Sequence, residues 1–507
     1  MTQHAGSSAT AGYAPSPEWA SRLAGIRYRT ELLIDGSWQS GPDRLEVVSP
    51  IDGAVVADIA AGDASTVDAA VRSARRAFED GRWSGLAPAD RKAILIRWSQ
   101  LCHERREDLA LLHALEMGKP AREARDVDMR AVVRTIQWFG EAIDKILDEI
   151  PNVPTSSVAL IQREPAGVVG AVVPWNFPLT MAAWKVAPAL ATGCTVVLKP
   201  AEQSPLSALL LAELALEAGI PEGVLNVVNG LGHVAGRALG EHPDVDVLTF
   251  TGSTAVGRKF MEYSATSNLK RVWLELGGKG ANVIFPDADL DKAASTAAWS
   301  IFYNAGQMCT AGSRLLVHES IHDDVVERVL AIAASMQPAN PLAEDAPLGA
   351  VVSAEHRDTV HGMVEEGVAQ SGELLSGGAP VLTDTGGAYY PPTVVDNVRP
   401  DSLLAQQELF GPVLAITTFS DEGQALALAN GTPYGLASAV WTNDLSRAHR
   451  FSRRLKMGVV WVNCYEEGDL TVPFGGVKQS GFGRDKSLHA LDKFLDIKTT
   501  WMELGEE

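Results

Sequence analysis

GVVGAVVPWNFPLTMAAWKVAPALATGCTVVLKP (167–200) holds two periodicities in one stretch. GVVGAVV (167–173) is a short β-branched run, an alanine-rich helical segment follows, and CTVVLK (194–199) is a second β-branched run. Short apolar runs bounded by turn residues read as buried strands, and the longer segment between them reads as a helix. The rhythm continues outward through the helical SALLLAELALEAG (207–219), then VLNVV (224–228), another helical stretch and VDVLTF (245–250). This alternation predicts an α/β fold with a parallel sheet covered by helices on both faces. In such sheets ligands bind beyond the carboxyl ends of the strands. A second series runs through NVIF (282–285), RLLVHE (314–319) and GPVLAITTF (411–419), which predicts two α/β domains divided near LGGKG (276–280).

On the amino-terminal side, residues 65–150 have helical texture. Val67, Ala70, Val71, Ala74 and Phe78 recur at helical spacing, with Ser65 as the expected N-cap and Asp68 three residues on. A long helix is predicted over about 121–148, stopping near Pro151. VALIQRE (158–164) and FLDIKTTWMEL (494–504) read as strands outside both series. The first ~20 residues, small, polar and proline-bearing, read as a mobile tail.

The net charge of -20 argues against affinity for nucleic acid or an anionic membrane. The chain has no apolar run long enough to span a bilayer. Its start lacks both an apolar signal core and the arginines of a transit peptide. Cys102, Cys194, Cys309 and Cys464 form no CxxC pair and no zinc spacing. Scattered free thiols indicate a reducing compartment, so a cytoplasmic protein is expected.

Several short motifs carry chemistry. Cys309 lies in NAGQMCT (304–310) and Glu275 in LELGGK (274–279), a thiol and a base suited to acyl chemistry. A cysteine nucleophile at neutral pH calls for a positive local potential or a helix N-terminus. Its plainer reading is an inert core thiol, which is the reading for Cys102 and Cys194. Asn176 sits in VVPWNFPLT (172–180), where a rigid amide suits an oxyanion, although buried turn asparagines are commoner. TFTGSTAVG (249–257) places Gly252 and Ser253 between a strand and a helix, as a phosphate site or simply a turn. VVLKPAEQSP (196–205) sets Lys199 and Glu202 past a strand end, where they suit ribose hydroxyls or form a solvated loop.

Taken in order, VPWNFP, LKPAEQSP, FTGS, LELGGK, GQMCT, ELFGP (408–412) and PFGGVKQSGFGR (473–484) resemble the NAD(P)-dependent aldehyde dehydrogenase superfamily over nearly the whole chain. The resemblance implies two Rossmann-like domains and a small β oligomerisation arm. The NAD-binding domain would be 1–142 with 166–276, the catalytic domain 277–485, and the arm 143–165 with 486–507. It implies Cys309 as nucleophile, Glu275 as general base, and Asn176 with the Cys309 N–H as oxyanion donors. Lys199 and Glu202 would hold the adenosine ribose, and Trp175, Gly252 and Ser253 would lie by the pyrophosphate. Glu408 would take the nicotinamide ribose and Phe410 would pack by the ring. Lys185 and Asp485 match positions of a proton path. The implied reaction carries an aldehyde through a thiohemiacetal and a thioester to a carboxylate, with no metal. Glu275 favours hydrolysis over transfer to coenzyme A. Glu202 disfavours the 2′-phosphate of NADP, so NAD is the expected cofactor. A homotetramer, as a dimer of dimers, is implied by the arm.

The segment VWVNCYEEGDLTVPFGG (460–476) falls where the resemblance places a wall of the substrate entrance. Glu466, Glu467 and Asp469 there suggest an amine-bearing substrate, or else an ordinary solvated acidic loop. The run 469–494 resembles enzymes that oxidise γ-glutamyl-γ-aminobutyraldehyde in putrescine breakdown. Phe177, Trp184 and Tyr303 match tunnel positions, and Gly468 stands where relatives often carry an aromatic. Alternatives are a broad-range aliphatic enzyme, a betaine or guanidinobutyraldehyde enzyme, and a non-catalytic protein on the same fold.

Overall fold

The structure is a computed structural model and describes residues 13–505. Two sheets organise it. The first has a parallel core of β1 (Val168–Val172), β2 (Thr195–Lys199), β3 (Leu225–Val227), β4 (Val247–Gly252) and β5 (Arg271–Leu276). Its spatial order is β5-β4-β1-β2-β3, with antiparallel additions from 481–482 beside β5 and from 32–34 and 37–39 beyond β3. Chain order runs from β1 toward β2 and β3 on one side, then returns to β4 and β5 on the other. The point of reversal lies between β1 and β4, where crossover loops part and leave a crevice at the strand ends.

The sheet changes directly after β5. Leu276 ends the first sheet, and after four residues Ala281 begins β6 (Ala281–Ile284) of the second. That sheet also contains β7 (Arg314–His318), β8 (Thr393–Asp396), β9 (Val413–Phe419), β10 (Ala437–Trp441) and β11 (Val459–Val462). Its order is β8-β9-β7-β6-β10-β11, all parallel, with 373–376 added antiparallel beside β8. The α/β prediction is therefore met. The inner strands of both parallel cores are buried on both faces, which explains their unbroken apolar runs, while the edge strand β11 is only partly covered.

Strands 157–165 and 495–503 pair antiparallel with each other and stand outside both sheets. Ile497, Trp501 and Met502 are exposed along the second of them, and Leu504 just past its end.

Three sequence expectations are corrected. The N-cap of the helix Ala64–Glu79 is Asp63, whose carboxylate accepts from Thr66 N, while Ser65 only donates to Asp63. The helix predicted over 121–148 ends at Lys145 and is broken by a π-turn at 124–128, which puts one extra residue into its ladder. Residues from Tyr13 onward are not a loose tail: the Tyr13 hydroxyl donates to Ile51 O at 2.7 Å, and Pro17–Gly25 is a helix begun by proline. Residues 1–12, the rest of that expectation, lie outside the described residues.

Candidate active site

The carboxyl ends of β1, β2, β4 and β5 converge on one crevice. Past β1 the chain runs through Trp175, Asn176 and Phe177 into α1 (Pro178–Thr192), whose first turn is opened by proline. Past β4, Ser253 caps α2 (Thr254–Thr266), its hydroxyl accepting from Val256 N. Glu275 lies on β5, in register with Thr251 of β4, whose hydroxyl donates to Glu275 Oε2 at 3.1 Å.

Cys309 arrives from the second sheet. Asn304, Ala305 and Gly306 have φ of 51°, 52° and 71°, three successive left-handed residues that fold the chain tightly before the cysteine. A Cβ on Gly306 would lie 2.1 Å from Gly411 O, so only glycine fits there. Asn176 Nδ2 donates to Gln307 O at 2.9 Å and Asn304 Nδ2 to Asn176 O at 3.3 Å, which fastens the amide to this turn. Cys309 Sγ donates to Glu275 Oε1 at 3.4 Å. Cys309, Asn176, Trp175, Phe177, Gly252, Ser253, Glu408 and Phe410 line one cavity of about 350 Å³.

The electrostatics differ from the sequence expectation. Burial, then the carboxylates of Glu275, Glu466 and Glu408, raise the Cys309 thiol well above its ordinary value. Each of these causes favours the protonated thiol over the thiolate. Glu275 is pushed up to about 7, chiefly by burial, with Lys185 pulling it down and Asp485 pushing it up. Behind it Lys185 Nζ meets Asp485 Oδ2 at 2.8 Å, and Lys493 pairs with the other oxygen of the same carboxylate, all three side chains buried. Burial opposes the Asp485 charge, yet the two ammoniums hold that carboxyl well below its usual range. Lys493 is a member of this cluster that the sequence reading did not include.

Of the residues expected to meet a cofactor, Glu408 and Phe410 line the cavity, while Lys199 and Glu202 stand outside its lining at the carboxyl end of β2. Lys199 Nζ lies 2.9 Å from Glu202 Oε2 at the end of β2. Burial raises Glu202, but the Lys199 ammonium outweighs it and keeps the carboxylate ionised. Glu408 Oε1 accepts from Gly278 N at 3.0 Å, and burial pushes its carboxyl up to about 7. Phe410 has φ of 58°, a left-handed conformation costing of order 1–3 kcal/mol in a bulky residue. A dinucleotide fits this set: a charged carboxylate at one strand end, a capped helix start with an adjacent glycine, and an apolar aromatic corner.

The acidic segment divides. Glu466, with φ of 57°, turns toward Cys309 and Thr310, and burial pushes its carboxyl up to about 7, leaving Oε1 without a hydrogen-bond partner. Glu467 is exposed, its carbonyl accepting from Trp461 Nε1 at 2.7 Å. Asp469 is exposed and sits 3.4 Å from Arg134. The three acids therefore do not form one recognition patch, because the left-handed residue sends the first inward and its neighbours outward. Lys486 Nζ stands 5.7 Å over the Trp184 ring, which adds a positive charge to the same wall. Gly468 is exposed, and a Cβ there would meet only ordinary contacts, Lys486 Nζ and Val472 Cγ2 each at 3.8 Å. Of the three aromatics expected at the substrate, only Phe177 lines the cavity; Tyr303 is buried, with Lys119 Nζ 4.6 Å from both its ring and that of Phe177 and paired with Asp128 at 2.8 Å. Lys119 and His356 carry no motif legible in the sequence alone.

Among the described residues no group of three or more His, Cys, Asp or Glu is placed to hold a metal ion, and no helix is long and apolar enough to cross a membrane.

Comparison with known proteins agrees with this geometry. The sequence pattern of the Aldehyde dehydrogenase family matches residues 38–500. The NADP/NAD-dependent aldehyde dehydrogenase PuuC of Escherichia coli is 48% identical over 489 residues, covering 96% of this chain and 98% of that protein. A solved γ-glutamyl-γ-aminobutyraldehyde dehydrogenase from Burkholderia cenocepacia superposes with a TM-score of 0.94 at 51% identity, over 96% of this chain and 99% of that one. The indole-3-acetaldehyde dehydrogenase AldA of P. syringae, solved with NAD+, reaches a TM-score of 0.95 at 48% identity, over 97% and 100%.

Proposed function

This chain belongs to the aldehyde dehydrogenase family and is an NAD(P)-dependent aldehyde dehydrogenase, and we propose that it oxidises an amine-bearing aldehyde to its carboxylate with NAD as the preferred cofactor. The observation that carries the chemistry is the 3.4 Å contact between Cys309 Sγ and Glu275 Oε1 at the wall of the cavity shared with Asn176. Cys309 gives its proton to water and as a thiolate attacks the aldehyde carbon, and the thiohemiacetal oxyanion is met by Asn176 Nδ2 and the Cys309 N–H. Bound NAD(P) supplies the hydride acceptor. The resulting thioester stays on Cys309. Glu275, held by Thr251, takes a proton from water, which then hydrolyses the thioester. Lys185 and Asp485, buried with Lys493 behind Glu275, would border the path by which that proton leaves, and they set the base's charge: Lys185 favours the carboxylate and Asp485 opposes it.

Lys199 and Glu202 hold the adenosine ribose, Trp175, Gly252 and Ser253 flank the pyrophosphate, and Glu408 and Phe410 take the nicotinamide half. The ionised Glu202 would face the 2′-phosphate of NADP, and like charges in a partly buried site repel. The two sheets support an NAD-binding domain that ends at 276 and a catalytic domain that begins at 277, with the strands 157–165 and 495–503 in the arm. The exposed apolar residues of strand 495–503 support a homotetramer built through that arm, and the free cysteines support a cytoplasmic setting.

Substrate choice rests on Glu466, whose unpartnered Oε1 near Cys309 suits an ammonium, and on the likeness to the γ-glutamyl-γ-aminobutyraldehyde enzyme. Phe177, Trp184 and Tyr303 form the aromatic sides of the tunnel. A second reading, an apolar aromatic aldehyde, is supported by the comparable likeness to the indole-3-acetaldehyde enzyme. The test is NADH formation on γ-glutamyl-γ-aminobutyraldehyde, 4-aminobutanal, 4-guanidinobutanal, indole-3-acetaldehyde and hexanal. A kcat/KM preference of about tenfold, ~1.4 kcal/mol, for an amine-bearing aldehyde supports the first reading. A preference for hexanal or the indole substrate overturns it.

A further inference from the structure

His356 occupies the first turn of the helix Ala354–Gln370, where Ser353 caps the helix by accepting from His356 N. Its ring is mostly buried at the wall of the cavity that holds Cys309. Nε2 lies 2.8 Å from Phe410 O. A carbonyl only accepts, so Nε2 carries the proton and donates. Burial lowers the imidazole's proton affinity, which keeps the ring neutral and this tautomer in place.

The acceptor carbonyl belongs to the strained residue of the ELFGP turn. Phe410 is left-handed with φ of 58°, and a bulky residue stays so only where its surroundings hold it. Glu408 pins one side of the turn through Gly278 N at 3.0 Å. Gly411 is packed against the same helix, since a Cβ there would meet Val360 at 2.7 Å. His356 supplies the hydrogen bond at Phe410 itself. Its ring also meets Trp175 edge-on, with centroids 5.5 Å apart, and Phe410 at 6.3 Å, while Trp175 and Phe410 are 5.4 Å apart at 87°. Three rings thus form one corner of the cavity, and the histidine is the member that fixes the backbone of another.

We propose that His356 is a positioning residue for the cofactor: by donating from Nε2 to Phe410 O it locks the left-handed ELFGP turn and the Trp175–Phe410 corner against which the nicotinamide half of NAD packs. This rests on the cavity being the cofactor site. Glutamine can still donate to the carbonyl, whereas leucine fills the space without a donor, so the pair H356Q and H356L separates hydrogen bonding from packing.

The test is calorimetric titration of NAD into wild type, H356Q and H356L without aldehyde. Hydrolysis of p-nitrophenyl acetate without NAD reads Cys309 and Glu275 alone, and thermal melting without NAD reads the fold. H356L is expected to bind NAD about tenfold more weakly, with H356Q within about threefold of wild type. Ester hydrolysis should stay within about twofold of wild type in both. NAD affinity in H356L equal to wild type overturns the proposal, as does H356Q binding as weakly as H356L with both folded. Wild type that fails to bind NAD would overturn instead the assignment of the cavity to the cofactor.

Discussion

Replacing Glu275 with glutamine tests the proposed division of labour at the cavity. The substitution keeps the shape of the side chain and an oxygen for the Thr251 hydroxyl. It removes the group proposed to activate water, and with it a negative charge that raises the Cys309 thiol. Acylation should therefore survive while deacylation stalls. Loss of a positioned general base costs about 10²–10⁴ in rate, or ~3–5 kcal/mol of transition-state stabilisation. The assay is rapid mixing of enzyme, NAD and aldehyde with NADH fluorescence as readout. E275Q should give a burst of about one NADH per Cys309 and then near-silence, since hydride leaves before the thioester is hydrolysed.

The pH dependence gives the same prediction a second axis. Glu275 titrates at about 7, and only its ionised form accepts a proton. It is about nine-tenths ionised at pH 8 and about one-tenth at pH 6, so deacylation should fall roughly tenfold across that interval. In E275Q the residual steady rate should lose that limb. Wild-type-like turnover in E275Q would falsify the base assignment. Loss of the burst itself, with Cys309 still open to alkylation, would show that Glu275 serves the thiol and not the water.

Asn176→Ala should lower kcat by about 10²–10³, near 3 kcal/mol, with little change in affinity for NAD, as expected for an oxyanion donor; an unchanged kcat with a lower melting temperature would make the amide a brace for Gln307. Glu202→Ser should raise the NADP-to-NAD ratio of kcat/KM by about tenfold through removal of a like charge, read by initial rates with each cofactor, and a constant ratio would sink the NAD preference. Gly306→Ala puts a Cβ 2.1 Å from Gly411 O at φ 71° and should cost at least ~1–3 kcal/mol in thermal unfolding, with ester hydrolysis at Cys309 lost ahead of global melting. Trp501→Glu, on the exposed apolar strand 495–503, should shift sedimentation to a smaller species if that strand joins subunits.

The fold was legible where a periodicity is local. A doubly covered parallel strand must be apolar at every position, so GVVGAVV, CTVVLK and VDVLTF announce themselves, as does the change of sheet at LGGKG. Helix boundaries were less so, because a cap depends on backbone angles that Asp63 and Ser65 can each adopt in principle, and a π-turn leaves the apolar spacing almost unchanged. The residues of the cavity were legible only as ordered motifs. Nothing in Glu466-Glu467-Gly468-Asp469 says that one acid turns inward, since that follows from a positive φ at Glu466 set by tertiary packing. His356 is invisible for a related reason: its partner is a backbone carbonyl 54 residues away, and a main-chain acceptor leaves no signature in composition.

The largest departure concerns charge, and it bears on how the nucleophile is kept. A sequence with a cysteine nucleophile invites a search for the cation that activates it. Here the charges that shift the sulfur most are those of Glu275, Glu466 and Glu408, and all of them oppose the thiolate. Two buried lysines, Lys185 and Lys493, pair instead with Asp485 behind Glu275. That arrangement suits the base more than the nucleophile. The ammoniums limit how far burial can raise Glu275, which leaves it titrating near neutrality, where an acceptor of water's proton works best. Reactivity of the sulfur is thereby withheld in the resting protein, where a free thiolate would be open to oxidation. Three carboxyls near 7, Glu275, Glu408 and Glu466, all bear on the thiol, so protonating any one eases formation of the thiolate while protonating Glu275 also disables hydrolysis.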